Sequence, residues 1–211
     1  MGRPQVLLGD DHVMFSEGLR RILEPHFEIV GTAENGLELM AAVEQFHPDV
    51  IVTDISMPLL NGIGVARRLQ TTANPPKIIF LTMHLDSALA TEGFKAGASG
   101  YVLKSSPASE VIAAIHQALR GHVYISPAIA GGVLGELTKT REQAEKLAPE
   151  LTARQREVLQ LIAEGKSPKE IAAILNVSPR TVEFHKYRIM EIVGARTIAE
   201  LTRYAVAHGI V

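Results

Sequence analysis

The sequence predicts an α/β fold: a doubly wound, five-stranded parallel sheet over residues 1–120, followed by a small all-α unit of four helices. Three observations carry this. Short apolar runs alternate with longer stretches of helical periodicity, the pattern of strand–helix–strand units that build a parallel sheet. Two of the runs, Val50-Ile51-Val52 and Ile78-Ile79-Phe80-Leu81, are continuously apolar, as strands covered on both faces must be. From Leu151 onward the strand pattern stops and helix-start signals recur.

Taken in order, the strands are Val6-Leu7-Leu8, Glu28-Ile29-Val30, Val50-Ile51-Val52, Ile78-Ile79-Phe80-Leu81 and Tyr101-Val102-Leu103. Amphipathic stretches lie around 14–24, 36–46, 61–70, 86–96 and 107–120. Leu19, Ile22 and Leu23 form the apolar stripe of the first, and Val111, Ile112, Ile115 and Leu119 that of the last. Pro48, Pro58, Gly62, Pro75-Pro76, Gly97, Gly100 and Pro107 punctuate the joints. Residues 121–147 read as a partly helical, flexible linker, with Gly121, Ser126-Pro127 and Gly131-Gly132 giving way to charge from Lys139 to Glu150. The helical unit occupies 148–211. Thr152…Gln155, Ser167…Glu170 and Thr197…Glu200 each have the spacing of a capping box, and Ser178-Pro179 opens another helix. The first of these helices stops at Gly165 and the last near Gly209.

Composition narrows the function classes. There is no cysteine, which excludes disulfides and thiolate metal sites and suits a reducing cytoplasm. No apolar run approaches the roughly 20 residues that span a bilayer, and the N-terminus lacks a signal-peptide pattern, so a soluble cytoplasmic protein without a membrane partner is expected. Residues 1–128 carry 9 Lys/Arg against 13 Asp/Glu, and residues 129–211 carry 12 against 10. That asymmetry is too mild to announce nucleic acid, so motifs must carry the claim.

Ligands of a doubly wound sheet sit beyond the carboxyl ends of its strands. Asp10 and Asp11 follow the first strand, Asp54 the third, Thr82 the fourth and Lys104 the fifth, so five polar residues converge on one rim. Three carboxylates together repel unless a cation holds them, and hard oxygen donors beside a phosphate favour Mg²⁺. The metal and Lys104 would neutralise a phosphoryl group in transfer, with Asp54 as nucleophile and Thr82 donating its hydroxyl to the new phosphoryl oxygens.

Leu8-Gly9-Asp10-Asp11-His12, Thr53-Asp54-Ile55-Ser56-Met57-Pro58, Leu81-Thr82 and Gly100-Tyr101-Val102-Leu103-Lys104 closely resemble a two-component receiver domain, a flavodoxin-like fold, over about the first 120 residues. The resemblance implies phosphate transfer from the histidine of a sensor kinase to Asp54. It implies Mg²⁺ bound by Asp11, Asp54 and the Ser56 backbone carbonyl, with Asp10 acting through water or on the groups that hold the ion. It makes Thr82 and Tyr101 a switch pair, Tyr101 rotating into space that Thr82 vacates. Ser56 and His84 stand where receivers vary and are expected to set phosphate lifetime. Lys104 is followed by Ser105-Ser106 before Pro107, where many receivers place Pro directly.

In the tail, a helix from Pro168 to Leu175, a turn at Asn176-Val177-Ser178 and a second helix from Pro179 have helix-turn-helix spacing, the second helix being the one that enters a major groove. Val182, Ile189 and Val193 should pack inward with His185 at their edge. Arg180, Glu183, Phe184, Tyr187, Arg188 and Glu191 point outward, and exposed aromatics beside basic residues suit a groove-facing surface. Phe184 or Tyr187 can meet a thymine methyl and Glu183 a cytosine amine, while Arg180, Lys186 and Arg188 reach phosphate or guanine. Leu151-Thr152-Ala153-Arg154-Gln155-Arg156-Glu157-Val158-Leu159, Lys169-Glu170-Ile171-Ala172 and Ser178-Pro179-Arg180-Thr181-Val182-Glu183-Phe184-His185 resemble the LuxR-type DNA-binding domain over about 148–211. There Glu183, Phe184 and Tyr187 take base-reading positions, the first and last commonly basic in that family.

A receiver joined to this tail resembles the NarL/FixJ class of response regulators. That implies a phosphorylation-dependent transcription regulator, not an enzyme beyond slow self-dephosphorylation, that binds double-stranded DNA as a homodimer. The last helix, Thr197 to His208, is the expected dimer contact, with Leu201 and Ala205 as candidates at helical spacing; the other reading is that Leu201 packs inside its own unit. The alternative is a phosphorylation-independent transcription factor with a vestigial receiver, against which Asp54, Thr82 and Lys104 speak. An aspartate-nucleophile phosphatase would place a second Asp where Ser56 stands, and Gly62-Ile63-Gly64 lacks the third glycine and preceding strand of a dinucleotide site.

Overall fold

The strands are apolar on both faces because helices cover both faces of the sheet. The computed structural model describes residues 2–83, 85–138 and 151–211. It divides into two compact units, Met1–Thr138 and Lys139–Val211. In the first, β1 (Gln5–Gly9), β2 (Glu28–Ala33), β3 (Val50–Asp54), β4 (Lys77–Thr82), β5 (Gly100–Leu103) and β6 (Tyr124–Ile125) form one sheet in the order β2-β1-β3-β4-β5-β6. All pairs are parallel. The helices are α1 (Val13–Leu23), α2 (Gly36–Phe46), α3 (Gly62–Leu69), α4 (Ser87–Lys95), α5 (Ala108–Leu119) and α6 (Pro127–Thr138).

Side chains of a strand alternate between faces, so each strand feeds two cores. Leu7, Ile51, Phe80 and Tyr101 join one apolar cluster with residues of α2, α3, α4 and α6. Their neighbours Val6, Leu8, Val52, Ile79, Leu81 and Val102 join the other, with α1 and α5. Short polar side chains start the helices: Asn35 accepts from Leu37 and Glu38 N–H, Asn61 from Gly64 N–H, and Asp86 from Ala88 and Leu89 N–H.

The structure departs from the sequence expectation in three places. The sheet has six strands, not five, because Tyr124–Ile125 pairs with Gly100 and Tyr101 at the edge. Two residues are too short to produce a strand pattern. The linker is partly helical as expected, but its β6 and α6 belong to the first unit, with α6 packed on α4, rather than forming a flexible link. The remainder of that linker, residues 139–147, lies outside the described residues. Finally, Ile22 and Leu119 sit at the edges of their stripes and are substantially exposed, while Leu19, Leu23, Val111 and Ile115 are buried.

The second unit contains α7 (Ala153–Ala163), α8 (Pro168–Leu175), α9 (Pro179–Val193) and α10 (Ile198–Ala207). Both α9 and α10 pack against α7, and α8 packs against α9. The boxes at Thr152–Gln155 and Ser167–Glu170 are reciprocal. The third is not: Thr197 accepts from Glu200 N–H, but Glu200 reaches back one residue further, to Arg196 N–H at 2.6 Å.

Candidate functional site

Register brings the first set of residues together. Gly9 pairs with Thr53, Asp54 with Leu81 and Thr82 with Leu103, so the strand ends are level and the residues at and just beyond them share one rim. Gly62 lets α3 start against the Asp54 loop: its N–H donates to Ile55 O at 2.8 Å, and a Cβ there would lie 2.3 Å from the Asp54 carbonyl oxygen.

Asp54 is buried and both of its carboxylate oxygens are engaged. Oδ1 accepts from the Ser56 backbone N–H at 3.1 Å, and Oδ2 accepts from Lys104 Nζ at 2.6 Å. The same ammonium lies 2.7 Å from Asp10 Oδ2. Beyond this ion pair the buried Asp10 Oδ2 has no hydrogen-bond partner among the described residues. Asp10 Oδ1 accepts from His12 N–H at 2.9 Å. Asp11 is the exposed member, its carboxylate 2.9 Å from His12 Nδ1.

Burial pushes the Asp54 carboxyl above the ordinary carboxylate value, and Asp10 adds to this against the pull of Lys104 and the Ser56 N–H. Burial disfavours the Lys104 ammonium, but Asp10 and Asp54 outweigh it and hold its pKa above the ordinary lysine value. Thr82 and Tyr101 are buried and share a side-chain hydrogen bond, and burial raises the Tyr101 phenol well above its usual pKa. Tyr101 is therefore a core residue hydrogen-bonded to the site.

The site fits a divalent cation. Oxygens of Asp10, Asp11 and Asp54 and a ring nitrogen of His12 lie within 4.8 Å of one another. Three carboxylates face one ammonium, which leaves two negative charges uncompensated, and Asp10 Oδ2 retains acceptor capacity. Two neighbours were not legible in the sequence. His12 adjoins the Asp pair in the chain but carried no expected role, and Phe15, whose ring centroid is 4.8 Å from Lys104 Nζ, has no distinguishing sequence signal. His84 lies outside the described residues.

The helix-turn-helix has the expected bounds. Asn176 caps α8 in the left-handed conformation (φ 53°), and Ser178 caps α9 by accepting from Thr181 N–H. Arg154 braces the turn, donating to Leu175 O at 2.7 Å. Val182 and Ile189 are buried, with Val193 and His185 partly so. Phe184 and Tyr187 are 61% and 60% exposed. The charges are not all free: Lys186 pairs with Glu183 at 2.5 Å and Arg188 with Glu191 at 2.8 Å. Among the described residues Arg180 has no ion-pair partner.

Comparison with known proteins agrees with both halves. Residues 6–116 match the response regulator receiver domain, and residues 149–205 match the luxR family of bacterial regulatory proteins. The chain belongs to the LuxR-type response regulators. It is 35% identical to the probable transcriptional regulatory protein NarL of Mycobacterium tuberculosis, over 96% of this chain and 98% of that one. A LuxR-family two-component response regulator from Aurantimonas is similar at 35% identity and a TM-score of 0.61, over 65% of this chain and all of that one. RcsB of Salmonella enterica serovar Typhimurium, in a structure bound to the rprA promoter with the phosphomimetic BeF3⁻, is 26% identical with a TM-score of 0.65, over 96% and 98% of the two chains. A receiver and a LuxR-type DNA-binding domain in one chain make this response regulator a two-component transcription regulator. Among its described residues no helix is long and apolar enough to cross a membrane.

Proposed function

We propose that Asp54 accepts a phosphoryl group from the phosphohistidine of a sensor kinase and that its phosphorylation favours a DNA-binding homodimer. The observation that carries this is the Asp54 carboxylate, buried at the strand-end rim and shared between the Ser56 N–H and the Lys104 ammonium beside Asp10. In the transfer, an Asp54 oxygen bonds to phosphorus as the phosphorus–nitrogen bond breaks and the kinase imidazole leaves. Lys104 stays close enough to neutralise charge on the phosphoryl oxygens, and the Thr82 hydroxyl exchanges its bond with Tyr101 for one to them.

Asp11 and Asp54, with the Ser56 carbonyl, would hold Mg²⁺, while Asp10 orients the site through Lys104 and His12. The ion, when bound, supplies positive charge to a site that has one ammonium for three carboxylates. No turnover beyond slow loss of the phosphate is part of this reading.

In the second unit, α9 would enter the major groove with Phe184 and Tyr187 toward the bases, supported by their exposure. Arg180, Arg188 and Lys186 would meet phosphate, the last two by leaving Glu191 and Glu183. Leu201 and Ala205, expected at the dimer contact, are fully buried inside the unit. The exposed apolar residues of α10 are instead Ile198 and Val206, with the half-buried Thr202 between them at i+4, and this face is the better dimer contact.

Footprinting and sedimentation of the full chain, with and without acetyl phosphate and Mg²⁺, test the reading. Tighter binding and a larger species with acetyl phosphate, both absent from Asp54→Asn, are expected. Identical affinity and oligomeric state in all samples would overturn it.

A further inference from the structure

β6 and α6 connect the Asp54 site to the end of the first unit. Tyr124 N–H donates to Ser99 O at 3.0 Å and Ser126 N–H to Tyr101 O at 2.9 Å. The buried Ser126 hydroxyl donates to Glu110 Oε2 at 2.6 Å and lies 3.4 Å from Ser106 Oγ. Tyr124 also hydrogen-bonds Glu110. The chain is thus held against the β5–α5 turn that carries Lys104. Beyond it, α6 sets Ile129 and Val133 into the same apolar cluster as Tyr101, Leu89 and Ala90. Gly132 comes so close to α4 that a Cβ on it would lie 3.0 Å from Ser87 Cβ.

By composition α6 is a weak helix. Its 12 residues include Gly131, Gly132 and Gly135. Each glycine costs about 1 kcal/mol relative to alanine in a helix interior. Among its described side chains only Ile129 and Val133 are buried. Such a helix is folded by its seat rather than by propensity, which places it at the low-stability end of the unit. Tyr101 belongs to the same cluster and its carbonyl holds Ser126 immediately before α6; its hydroxyl is bonded to Thr82, and Thr82 O accepts from Lys104 N–H at 2.8 Å.

We propose that α6 is a conditional strap, docked on α4 while Tyr101 is bonded to Thr82 and released when a phosphoryl group on Asp54 draws the Thr82 hydroxyl away. This rests on the reading of Asp54 given above. Release changes the reach of the chain toward the second unit. Twelve residues span about 18 Å as a helix but up to about 40 Å extended. The strap therefore sets how far the DNA-binding unit can move from the receiver, and phosphorylation lengthens it.

The chain has no cysteine, so Ser87→Cys with Gly132→Cys introduces one defined pair. Its Cβ separation needs only a small adjustment to reach disulfide geometry. BeF3⁻ binding to the full-length variant, followed by ¹⁹F NMR in Mg²⁺, is compared before and after reduction. The oxidised form, strapped down, is expected to bind at least about fivefold more weakly than the reduced form. Equal affinity overturns the inference. Gly131→Ala with Gly135→Ala tests it without a cross-link, because a Cβ at either position meets nothing within 4 Å. Strengthening the docked helix should weaken BeF3⁻ binding several-fold, and unchanged affinity again overturns the inference. A chain that binds no BeF3⁻ in any form would overturn the reading of Asp54 itself.

Discussion

At Asp54 the burial of a carboxylate opposes stability. Burial raises its pKa above the ordinary 3.8, so as pH rises the unfolded chain gives up this proton first. The folded state then loses stability through the window between the ordinary and the raised value, and the deficit stays constant above it. Asp54→Asn keeps the shape and removes the charge, leaving Lys104 its ion pair with Asp10. In Mg²⁺-free buffer the variant should melt higher than the unchanged protein at pH 7, and the gap should close as pH falls toward 3. A variant that melts no higher at pH 7 would contradict the sign of this argument. Added Mg²⁺ should raise the unchanged protein and leave Asp54→Asn nearly still. The identity of these residues was legible because charged side chains at strand ends have no packing role to hide behind. Their electrostatic balance was not, because the shared ammonium between Asp10 and Asp54 depends on how level the strand ends are.

Among the elements, legibility followed the strength of the local signal. The helix-turn-helix was bounded to the residue because Ser167, Pro168, Asn176, Ser178 and Pro179 each act within one turn of the chain. The cap at Ser167 is reciprocal, so Ser167→Ala should cost about 1 kcal/mol in urea unfolding of the second unit. β6 and the docking of α6 escaped because they depend on partners distant in the chain: a two-residue strand pairs beside β5, and a glycine-rich helix packs on α4. α10 shows the other limit, since helical spacing marks two faces and does not say which is buried. Leu201 is in the core, so Leu201→Ala should cost about 2–5 kcal/mol in unfolding. Val206 is 61% exposed, so Val206→Glu should leave unfolding nearly unchanged while lowering the dimer fraction on DNA in sedimentation. If Val206→Glu unfolds the unit, or dimerises normally, the α10 stripe is not the contact.

For the whole molecule the question is whether two units with separate cores behave as one equilibrium. If, as proposed, each of the two units binds its own ligand, coupling has to appear as a difference in one ligand's affinity when the other is bound. Thermodynamic linkage then makes a demand that no description of contacts can evade. If BeF3⁻ at Asp54 tightens binding to a duplex by some factor, the duplex must tighten BeF3⁻ binding by the same factor at equal protein concentration. Typical couplings of about 1–3 kcal/mol correspond to roughly 5–150-fold, well within reach of titration. Duplexes chosen by selection from a random library serve for both arms: anisotropy with and without BeF3⁻, and ¹⁹F NMR with and without duplex. Matching factors above about fivefold are expected, and both should collapse toward one in the oxidised Ser87→Cys, Gly132→Cys protein if α6 is the connection. Factors of one in the unchanged protein would mean that the receiver and the DNA-binding unit share a chain without sharing an equilibrium. A large factor that survives the cross-link would keep the switch and move its connection away from α6.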